Sequence, residues 1–343
     1  MLGTVFLLMK LGVYWLIIVY YLSKLLDASG SFNLLINSKT NISPILSGLR
    51  PGNFNTQSAE NCKGFSETIR QLSNSNIKFY HWLAGIIDGD GNFDIRKSKL
   101  NKPVLKAIRI KLHNRDIKIL TRIQNFLHMG RIRQDKHKQH SMYIISTKEE
   151  MYKLINSLNG LIRVKADTFK KACVLYNISY IEPDYNIQSY DPYFSGLIDT
   201  DGSIVFNFTS NRIECNLEFK YNNCTSKLNL DNIIPNIKPY ILLRKQYSKD
   251  KVKEKNFKSI AFKYQTVKSM IPLYDYFMVN RLYSDFKFYR VTQIKKFIDI
   301  RNYKHSDFES IEYKIYSDFV LNWIQYKNPL WTKVLFVNKL RIR

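Results

Sequence analysis

The chain has 343 residues, enough for about two domains, and its 45% hydrophobic content excludes a disordered basic tail. Lys and Arg number 53 against 28 Asp and Glu, so the formal net charge is +25 and a polyanion is the expected partner, with an anionic membrane surface as the alternative. The four cysteines form no CxxC pair and no His lies at ligand spacing, so the sequence indicates neither a zinc site nor a disulfide framework.

The N-terminal part of the chain precedes the region that we predict to fold. Residues 2–22 form an apolar stretch, interrupted only by Lys10, of about the length that crosses a bilayer. Two interpretations of residues 1–26 remain open: a transmembrane segment, which would contact a membrane, and a leader segment. Residues 27–76 are rich in Ser, Asn and turn formers, which predicts a mostly disordered linker, with folding from Ile77 onward.

A short segment then occurs twice in the chain. Residues 82–91 read WLAGIIDGDG, and residues 193–202 read YFSGLIDTDG. Each is an apolar run followed by a carboxylate, a glycine and alternating apolar residues, which predicts a helix that turns abruptly into a strand. Small residues on one helix face let two helices approach closely, so we expect the two copies to pack through Gly85 and Gly196.

The first copy continues as a small α+β unit over residues 77–177. Alternating apolar residues predict strands, and apolar residues at helical spacing predict three helices after the motif helix. The predicted strands are 92–96, 104–112, 131–133 and 141–146, and the predicted helices are 116–127, 148–158 and 165–177. Residues 178–192, which contain two X-Pro steps, are predicted to form the linker to the second copy.

The second copy, residues 193–303, repeats this order less cleanly. The predicted strands are 204–208, 217–221, 240–247 and 259–264, and the predicted helices are 228–234, 267–277 and 284–300. Residues 304–343 are predicted to form a C-terminal helical extension and a basic tail at 333–343. The helix of this extension is predicted to carry one apolar face, made by Ile311, Ile315, Phe319 and Trp323.

The last carboxylate of each copy, Asp90 or Asp201, is a candidate functional group. If the copies pack through their small residues, Asp90 and Asp201 lie side by side, and two adjacent carboxylates need a cation between them or a raised pKa. A helix C-terminus disfavours negative charge, so an ordinary helix cap explains these two residues poorly. Asp88 and Asp199 stand two positions earlier, and we predict that they are structural.

These residues resemble the motif of the LAGLIDADG homing endonucleases. Leu83 to Gly91 match it closely, and Phe194 to Gly202 match it more loosely, with Phe and Ser in place of the usual Leu and Ala. The resemblance covers residues 77–300. It implies an α+β fold of two pseudo-symmetric αββαββα(α) units, each with a saddle-shaped antiparallel sheet, packed through the two motif helices.

The resemblance also implies an activity and a cofactor. Similar enzymes are monomers that bind a long double-stranded DNA site and cut both strands with Mg2+, or with another divalent cation such as Mn2+. The metal ligands would be the side chains of Asp90 and Asp201 and the backbone carbonyls of the preceding residues, Gly89 and Thr200.

Two further catalytic positions follow from the resemblance. Similar enzymes place a basic residue near the attacking water, and Lys165 matches that position in the first copy. In the second copy Ser284 stands there, with Lys287 in the next turn as the alternative. Asn114 stands near the place where the family often carries a Gln that positions water.

Basic and polar residues on the outward faces of the strands are expected to contact base edges or phosphates in the major groove. These residues are Asp94, Arg96, Arg109, Lys111, Arg131 and Arg133. Their alternation along the strands is a stronger signal than any one of them.

Two functions remain open at this point, beside a third possibility, a membrane protein with a basic soluble portion, that rests only on residues 2–22. The first is an intron-encoded endonuclease, and the second is an RNA maturase that helps its host intron RNA to splice, with or without residual cleavage. The presence of both motif aspartates favours the nuclease, whereas Ser284 in place of Lys favours the maturase. Heavy use of Asn, Lys, Ile and Tyr suits an AT-rich organellar genome, so we expect a mitochondrial protein, with the chloroplast as the alternative.

Overall fold

The computed structural model describes residues 62–134, 138–245 and 257–326. The apolar stretch at 2–22 and the basic tail at 333–343 lie outside these ranges. Within the three ranges, no helix has the length and apolar character needed to cross a membrane.

Helix α1, Cys62–Asp90, contains the first motif copy. Its buried side chains recur at helical spacing, and Phe79, Leu83 and Ile86 are among them. The prediction that residues 62–76 belong to a disordered linker is wrong, because they form the first turns of this helix. An existing helix lengthens readily, since each added residue brings another backbone hydrogen bond, and this outweighs the weak helix propensity of Ser and Asn.

The first unit continues from α1 into a four-stranded antiparallel sheet. Its strands are β1 Gly91–Lys97, β2 Pro103–His113, β3 Arg131–Gln134 and β4 His140–Ile145, in the spatial order β1-β2-β4-β3. Its remaining helices are α2 Ile117–Leu127, α3 Lys148–Leu158 and α4 Ala166–Leu175. Every element predicted for this unit is present, with small shifts at the ends. In β2 the side chains of Leu105, Ile108, Ile110 and Leu112 are buried, whereas Arg109 and Lys111 lie on the outward face.

Helix α5, Tyr193–Thr200, contains the second motif copy and packs directly against α1. A Cβ atom at Gly85 would overlap the carbonyl oxygen of Tyr193, and a Cβ atom at Gly196 would overlap that of Trp82. Both overlaps are with backbone, which cannot move aside as a flexible side chain can. Glycine at these two positions is therefore what lets the helices approach this closely.

The second unit has the same sheet topology as the first. Its strands are β5 Ser203–Asn207, β6 Arg212–Lys220, β7 Tyr240–Lys245 and β8 Phe257–Tyr264, in the order β5-β6-β8-β7. Its further helices are α6 Asn223–Lys227, α7 Met270–Val279, α8 Asp285–Thr292 and α9 Ile294–Ile300. The predicted α+β architecture of two pseudo-symmetric units is confirmed.

One predicted helix of the second unit, residues 228–234, is wrong. The helix lies earlier, in α6, because Asn222 starts it with a capping box: the Asn222 Oδ1 accepts from the backbone N–H groups of Cys224 and Thr225. After α6 the chain leaves the helical path, since the Asn229 backbone pairs with the segment that joins the two units. That segment, residues 178–192, contains no helix or strand of its own.

A second correction concerns residues 284–300, which form two helices and not one. The break lies at Gln293 between α8 and α9. Thr292 precedes it, and its hydroxyl donates to the Tyr289 carbonyl over 2.7 Å, a bond of the kind that bends helices.

The C-terminal helix α10, Ile311–Gln325, is present, but its predicted apolar face is only half right. Phe319 and Trp323 are buried, whereas Ile311 is 75% exposed and Ile315 is 42% exposed. The buried stripe instead includes Tyr316, Val320 and Ile324. The helix packs against α9 and against the segment Arg301–His305 that follows it, and these contacts select the face that is buried.

Candidate active site

Asp90 and Asp201 stand where the two motif helices end. Asp90 is the last residue of α1, and Asp201 is the C-cap of α5. The helix ends touch, because a Cβ atom at Gly89 would overlap the side chain of Thr200. This contact brings the two carboxylates together, as the repeated motif predicts.

Burial and neighbouring charge set the cost of ionising these two carboxylates. Burial raises the pKa of both, and the negative charge of Asp201 raises the pKa of Asp90 further. Lys165 and Lys287 oppose these shifts through their positive charge. In the described part of the chain, neither aspartate side chain has a hydrogen bond or an ion pair.

This donor set fits a hard divalent cation. Carboxylate and carbonyl oxygens are the ligands that Mg2+ takes in proteins, and Mg2+ usually binds through one or two carboxylates together with phosphate and water. The described ranges contain no cluster of three or more His, Cys, Asp or Glu that could hold a metal by themselves. A cation between Asp90 and Asp201 would therefore leave ligand positions open to water or to a substrate phosphate.

The Lys165 ammonium contacts the C-terminal end of the first motif helix. It is the N-cap of α4, and its Nζ donates to the carbonyl oxygens of Ile87, Gly89 and Gly91 over 3.0, 2.5 and 2.5 Å. Burial lowers the pKa of this ammonium, while the surrounding aspartates oppose the change. Lys165 thus stabilises the negative end of the helix dipole next to Asp90.

Lys287 makes the same arrangement in the second unit. Its Nζ donates to the carbonyl oxygens of Ile198, Asp199 and Thr200 over 2.8, 2.9 and 2.8 Å. Burial lowers its pKa as well. Of the two candidates in the sequence, the structure brings Lys287 to the end of its motif helix.

Ser284 is the backbone counterpart of Lys165, since it is the N-cap of α8. Its side chain is fully buried and its hydroxyl donates to Asp116 Oδ1 over 2.6 Å. Asp116 belongs to the first unit, so this contact joins the units beside the site. The sequence did not single out Asp116 because nothing in its local pattern shows a partner 168 residues away.

Asp88 is a buried acceptor for three donors, which agrees with a structural role. Its oxygens accept from the backbone N–H groups of Arg163 and Lys165 over 2.7 and 2.8 Å and from the Tyr193 hydroxyl over 2.7 Å. Burial raises the pKa of Asp88, and these hydrogen bonds oppose that rise. Asp88 therefore links the motif helix to α4 and to the other motif copy.

Asp199 repeats this role in the second copy. It accepts from the backbone N–H groups of Tyr283 and Ser284, each over 2.9 Å, and from the Trp82 indole N–H over 3.1 Å. Burial raises the pKa of Asp199 to about 6. Each motif copy thus begins with an aromatic residue, Trp82 or Tyr193, that donates to the first aspartate of the other copy. The sequence signal for this exchange is the aromatic residue at the start of both copies.

The Asn114 side chain is engaged in two hydrogen bonds. Its Nδ2 donates to the Lys138 carbonyl and its Oδ1 accepts from the Ser141 hydroxyl, each over 2.8 Å. No hydrogen bond joins it to Asp90 or Asp201 within the described ranges.

The residues predicted to contact DNA share the outward face of the first sheet. Asp94 pairs with Arg96 over 2.8 Å and with Arg109 over 2.7 Å. The others, Lys111, Arg131 and Arg133, are exposed. Arg109, Arg131 and Arg133 line one groove, together with Lys106, Lys138 and His140.

Comparisons with known proteins give one family match and several curated relatives. Residues 83–175 match the LAGLIDADG endonuclease family. The chain is 36% identical over 137 residues to the intron-encoded RNA maturase bI4 of Saccharomyces cerevisiae, a match that covers 39% of this chain and 20% of the relative. It is 26% identical over 257 residues to the intron-encoded DNA endonuclease ai2a of Dictyostelium discoideum, covering 73% of this chain and 76% of the relative.

A solved structure, the LAGLIDADG homing endonuclease I-GzeII in complex with its DNA target, is similar with a TM-score of 0.47 and 14% identity. That alignment covers 73% of this chain and 99% of the other. The matched segment spans only about a fifth of the yeast relative and about three quarters of the Dictyostelium relative.

Proposed function

Because this chain belongs to the LAGLIDADG family, we propose that it is an intron-encoded homing endonuclease that binds a long double-stranded DNA site and hydrolyses a phosphodiester bond in each strand. The observation that carries this proposal is the pairing of Asp90 and Asp201 at touching helix ends, where the charges of Lys165 and Lys287 act on both carboxylates. Both aspartates come from one chain, so a monomer contains the whole centre.

We further propose that Asp90 and Asp201 hold Mg2+, for which Mn2+ could substitute. A bound divalent cation supplies a more acidic water and stabilises the leaving oxygen. The carbonyls of Gly89 and Thr200 are the other candidate ligands, and each already accepts a hydrogen bond from Lys165 or Lys287. The two ammonium groups therefore hold the ligand-bearing helix ends in place and offset the charge of the carboxylates.

The substrate of the proposed metal centre is double-stranded DNA. The net charge of +25 and the basic outward face of the first sheet suit a phosphate backbone. The Dictyostelium relative, named as an intron-encoded DNA endonuclease, supports the same substrate. The heavy use of Asn, Lys, Ile and Tyr in this chain suits an AT-rich organellar genome and supports a mitochondrial location.

A maturase is the second candidate function. The yeast relative is named as an intron-encoded RNA maturase and is 36% identical over the matched segment. In this alternative the chain binds its host intron RNA and assists splicing.

One experiment separates the two functions. The purified full chain is incubated with duplex DNA that spans the intronless form of its own insertion site, with Mg2+ and with a chelator, and in parallel with the unspliced intron RNA. We expect double-strand cleavage that depends on Mg2+. Splicing of the RNA without any DNA cleavage would contradict the nuclease and support the maturase.

The assignment of Lys287 gives a prediction for the two strands. Lys287→Met should slow cleavage of one strand by about 10²-fold, because it removes the ammonium that donates to the carbonyl oxygens at the end of α5. Ser284→Lys should not speed cleavage, since the Ser284 side chain is fully buried against Asp116. The measurement is a time course on a doubly end-labelled duplex, which shows nicked intermediates.

The control for this prediction is Lys153→Met, which removes an exposed Lys from α3. It should leave both rates unchanged. If Ser284→Lys speeds the slower strand and Lys287→Met changes neither rate, then Ser284 and not Lys287 faces the reacting phosphate.

A further inference from the structure

A cavity lies where the two motif copies begin, away from the aspartates at which they end. It has a volume of about 290 Å³ and is lined by residues of α1, of α2, of the start of α5 and of the loop between α7 and α8. Trp82, which lines it, stands eight residues before Asp90 on α1, a helix rise of about 12 Å. The cavity is therefore separate from the proposed metal centre.

Four aromatic rings form part of the cavity wall. Phe79 and Phe126 stack with their centroids 3.6 Å apart, and Trp82 meets Tyr283 edge to face at 5.1 Å. Phe79 and Trp82 come from α1 and Phe126 from α2, whereas Tyr283 belongs to the second unit. The two units thus share an apolar wall on which a flat ring can stack.

Three cations line the same cavity, Lys78, Arg122 and Arg281, and all three are exposed. None of them forms an ion pair within the ranges that the structure describes. Arg122 is held by rings instead, since its Cζ lies 4.0 Å from the ring centroid of Tyr283 and 5.7 Å from that of Trp82. Its charge and its N–H donors therefore remain available to an anion.

Two carboxylates stand close in sequence to residues of the cavity, but other cations bind them. Asp191 pairs with His81 over 2.8 Å, and Asp285 pairs with Lys118 over 2.5 Å. Neither His81 nor Lys118 lines the cavity. The positive charge of the cavity is therefore not compensated by these two aspartates.

Asn280 adds a polar group to the cavity lining. Its side chain is 7% exposed, and its Nδ2 donates to the Tyr190 carbonyl over 3.0 Å. In the described part of the chain its Oδ1 accepts no hydrogen bond. A buried acceptor without a partner is costly, so this oxygen is suited to an amino group of a ligand.

An aromatic wall, cations without ion pairs and an open acceptor match the chemistry of a nucleotide. Bases stack on aromatic rings and on the guanidinium plane of Arg, phosphate binds Arg and Lys, and an amide oxygen accepts from an exocyclic amino group. In a duplex the faces of each base are covered by its neighbours. A base that stacks in this cavity must therefore be unpaired.

We propose that this cavity binds an unpaired nucleotide of a single-stranded nucleic acid, with its base on the aromatic wall and its phosphate between Arg122 and Arg281. The site lies apart from the outward face of the sheets, so a single strand and a duplex bind at the same time. The inference does not depend on the proposed cleavage activity.

The test measures fluorescence anisotropy of labelled oligoadenylate, as RNA and as DNA, of about 12 nucleotides. A backbone of the same length without bases is the comparison probe, and excess unlabelled duplex DNA occupies the basic face of the sheet. The wild-type full chain should bind both oligoadenylates on the order of 10-fold more tightly than the backbone without bases, because base stacking adds affinity that charge alone does not supply.

Variants of Arg122 separate charge from stacking. Arg122→Gln should remove most of the preference for oligoadenylate and reduce the log-log salt slope by about 0.7, the value for one phosphate contact of a single strand. Arg122→Lys should keep the slope but lose part of the preference, because an ammonium has no plane on which a base can stack. Arg281→Gln should reduce the slope in the same way as Arg122→Gln.

The matched control is Lys171→Gln, which removes one exposed positive charge from α4 outside the cavity. It should change neither the slope nor the preference, and denaturant unfolding should show that every variant folds as the wild type does. Equal binding of oligoadenylate and of the backbone without bases overturns the proposal, as does full preference in both Arg122→Gln and Arg281→Gln. If adenosine monophosphate displaces oligoadenylate with the affinity of the oligomer itself, the ligand is a free nucleotide and the single-strand assignment is wrong.

Discussion

Asp90→Asn and Asp201→Asn should each reduce double-strand cleavage by on the order of 10³-fold, while DNA affinity stays the same or rises. Each change removes one of the two negative ligands that the proposed metal centre shares, a loss of several kcal/mol in transition-state stabilisation. It also removes a charge that repels phosphate, so binding should not weaken. The measurement is plasmid cleavage in Mg2+, with binding followed separately in its absence.

The matched control is Asp307→Asn, which makes the same change at an exposed residue that follows the second unit. It should cleave as the wild type does. Full double-strand cleavage by the Asp201→Asn variant would rule out a centre shared by the two aspartates. Loss of DNA binding in either variant would instead assign the aspartates to folding.

Asp88→Asn should lower the free energy of unfolding by on the order of 3 kcal/mol, because buried donors lose their acceptor. Asp88 accepts from Arg163, Lys165 and Tyr193, and an amide of the same shape retains only one acceptor oxygen. The amide nitrogen of Asn is itself a donor, so the N–H or hydroxyl group facing it would lose its acceptor. The measurement is denaturant unfolding of the variant and the wild type.

Smaller changes keep this prediction testable if Asp88→Asn does not fold. Tyr193→Phe removes one donor and leaves the carboxylate, so it should cost about 1 kcal/mol. The control is Tyr152→Phe, because Tyr152 is 48% exposed and the same hydroxyl is lost without a buried partner. Equal stability of the wild type and the Asp88→Asn variant would show that this network contributes nothing to the fold.

The structure of the repeated motif could be predicted from the sequence because the residues that determine it are neighbours along the chain. An apolar run, a small residue on one helix face and a carboxylate before a glycine lie within ten adjacent positions, so periodicity and residue size predicted the helix, its packing face and the turn into a strand. Strand alternation predicted the order of elements in the first unit for the same reason. These features depend on neighbours along the chain.

Predictions failed where a distant partner decided the outcome. Residues 228–234 have a helical pattern, but the backbone of Asn229 pairs with the inter-unit segment. The apolar residues of α10 are compatible with more than one face, and contact with α9 selected Phe319 and Trp323 over Ile311. Local propensity is weak, and tertiary contacts override it.

The sequence by itself predicted the resemblance to the LAGLIDADG family, the two-unit architecture and the pairing of Asp90 with Asp201, because two copies of one motif indicate all three. Only the tertiary structure decided which lysine serves the second copy, since Lys287 reaches its helix end from one turn beyond Ser284. Only the structure showed that Trp82 and Tyr193 donate across the two copies. Hydrogen bonds between residues more than a hundred positions apart leave no periodic trace in a sequence, because their geometry exists only after the two helices have packed.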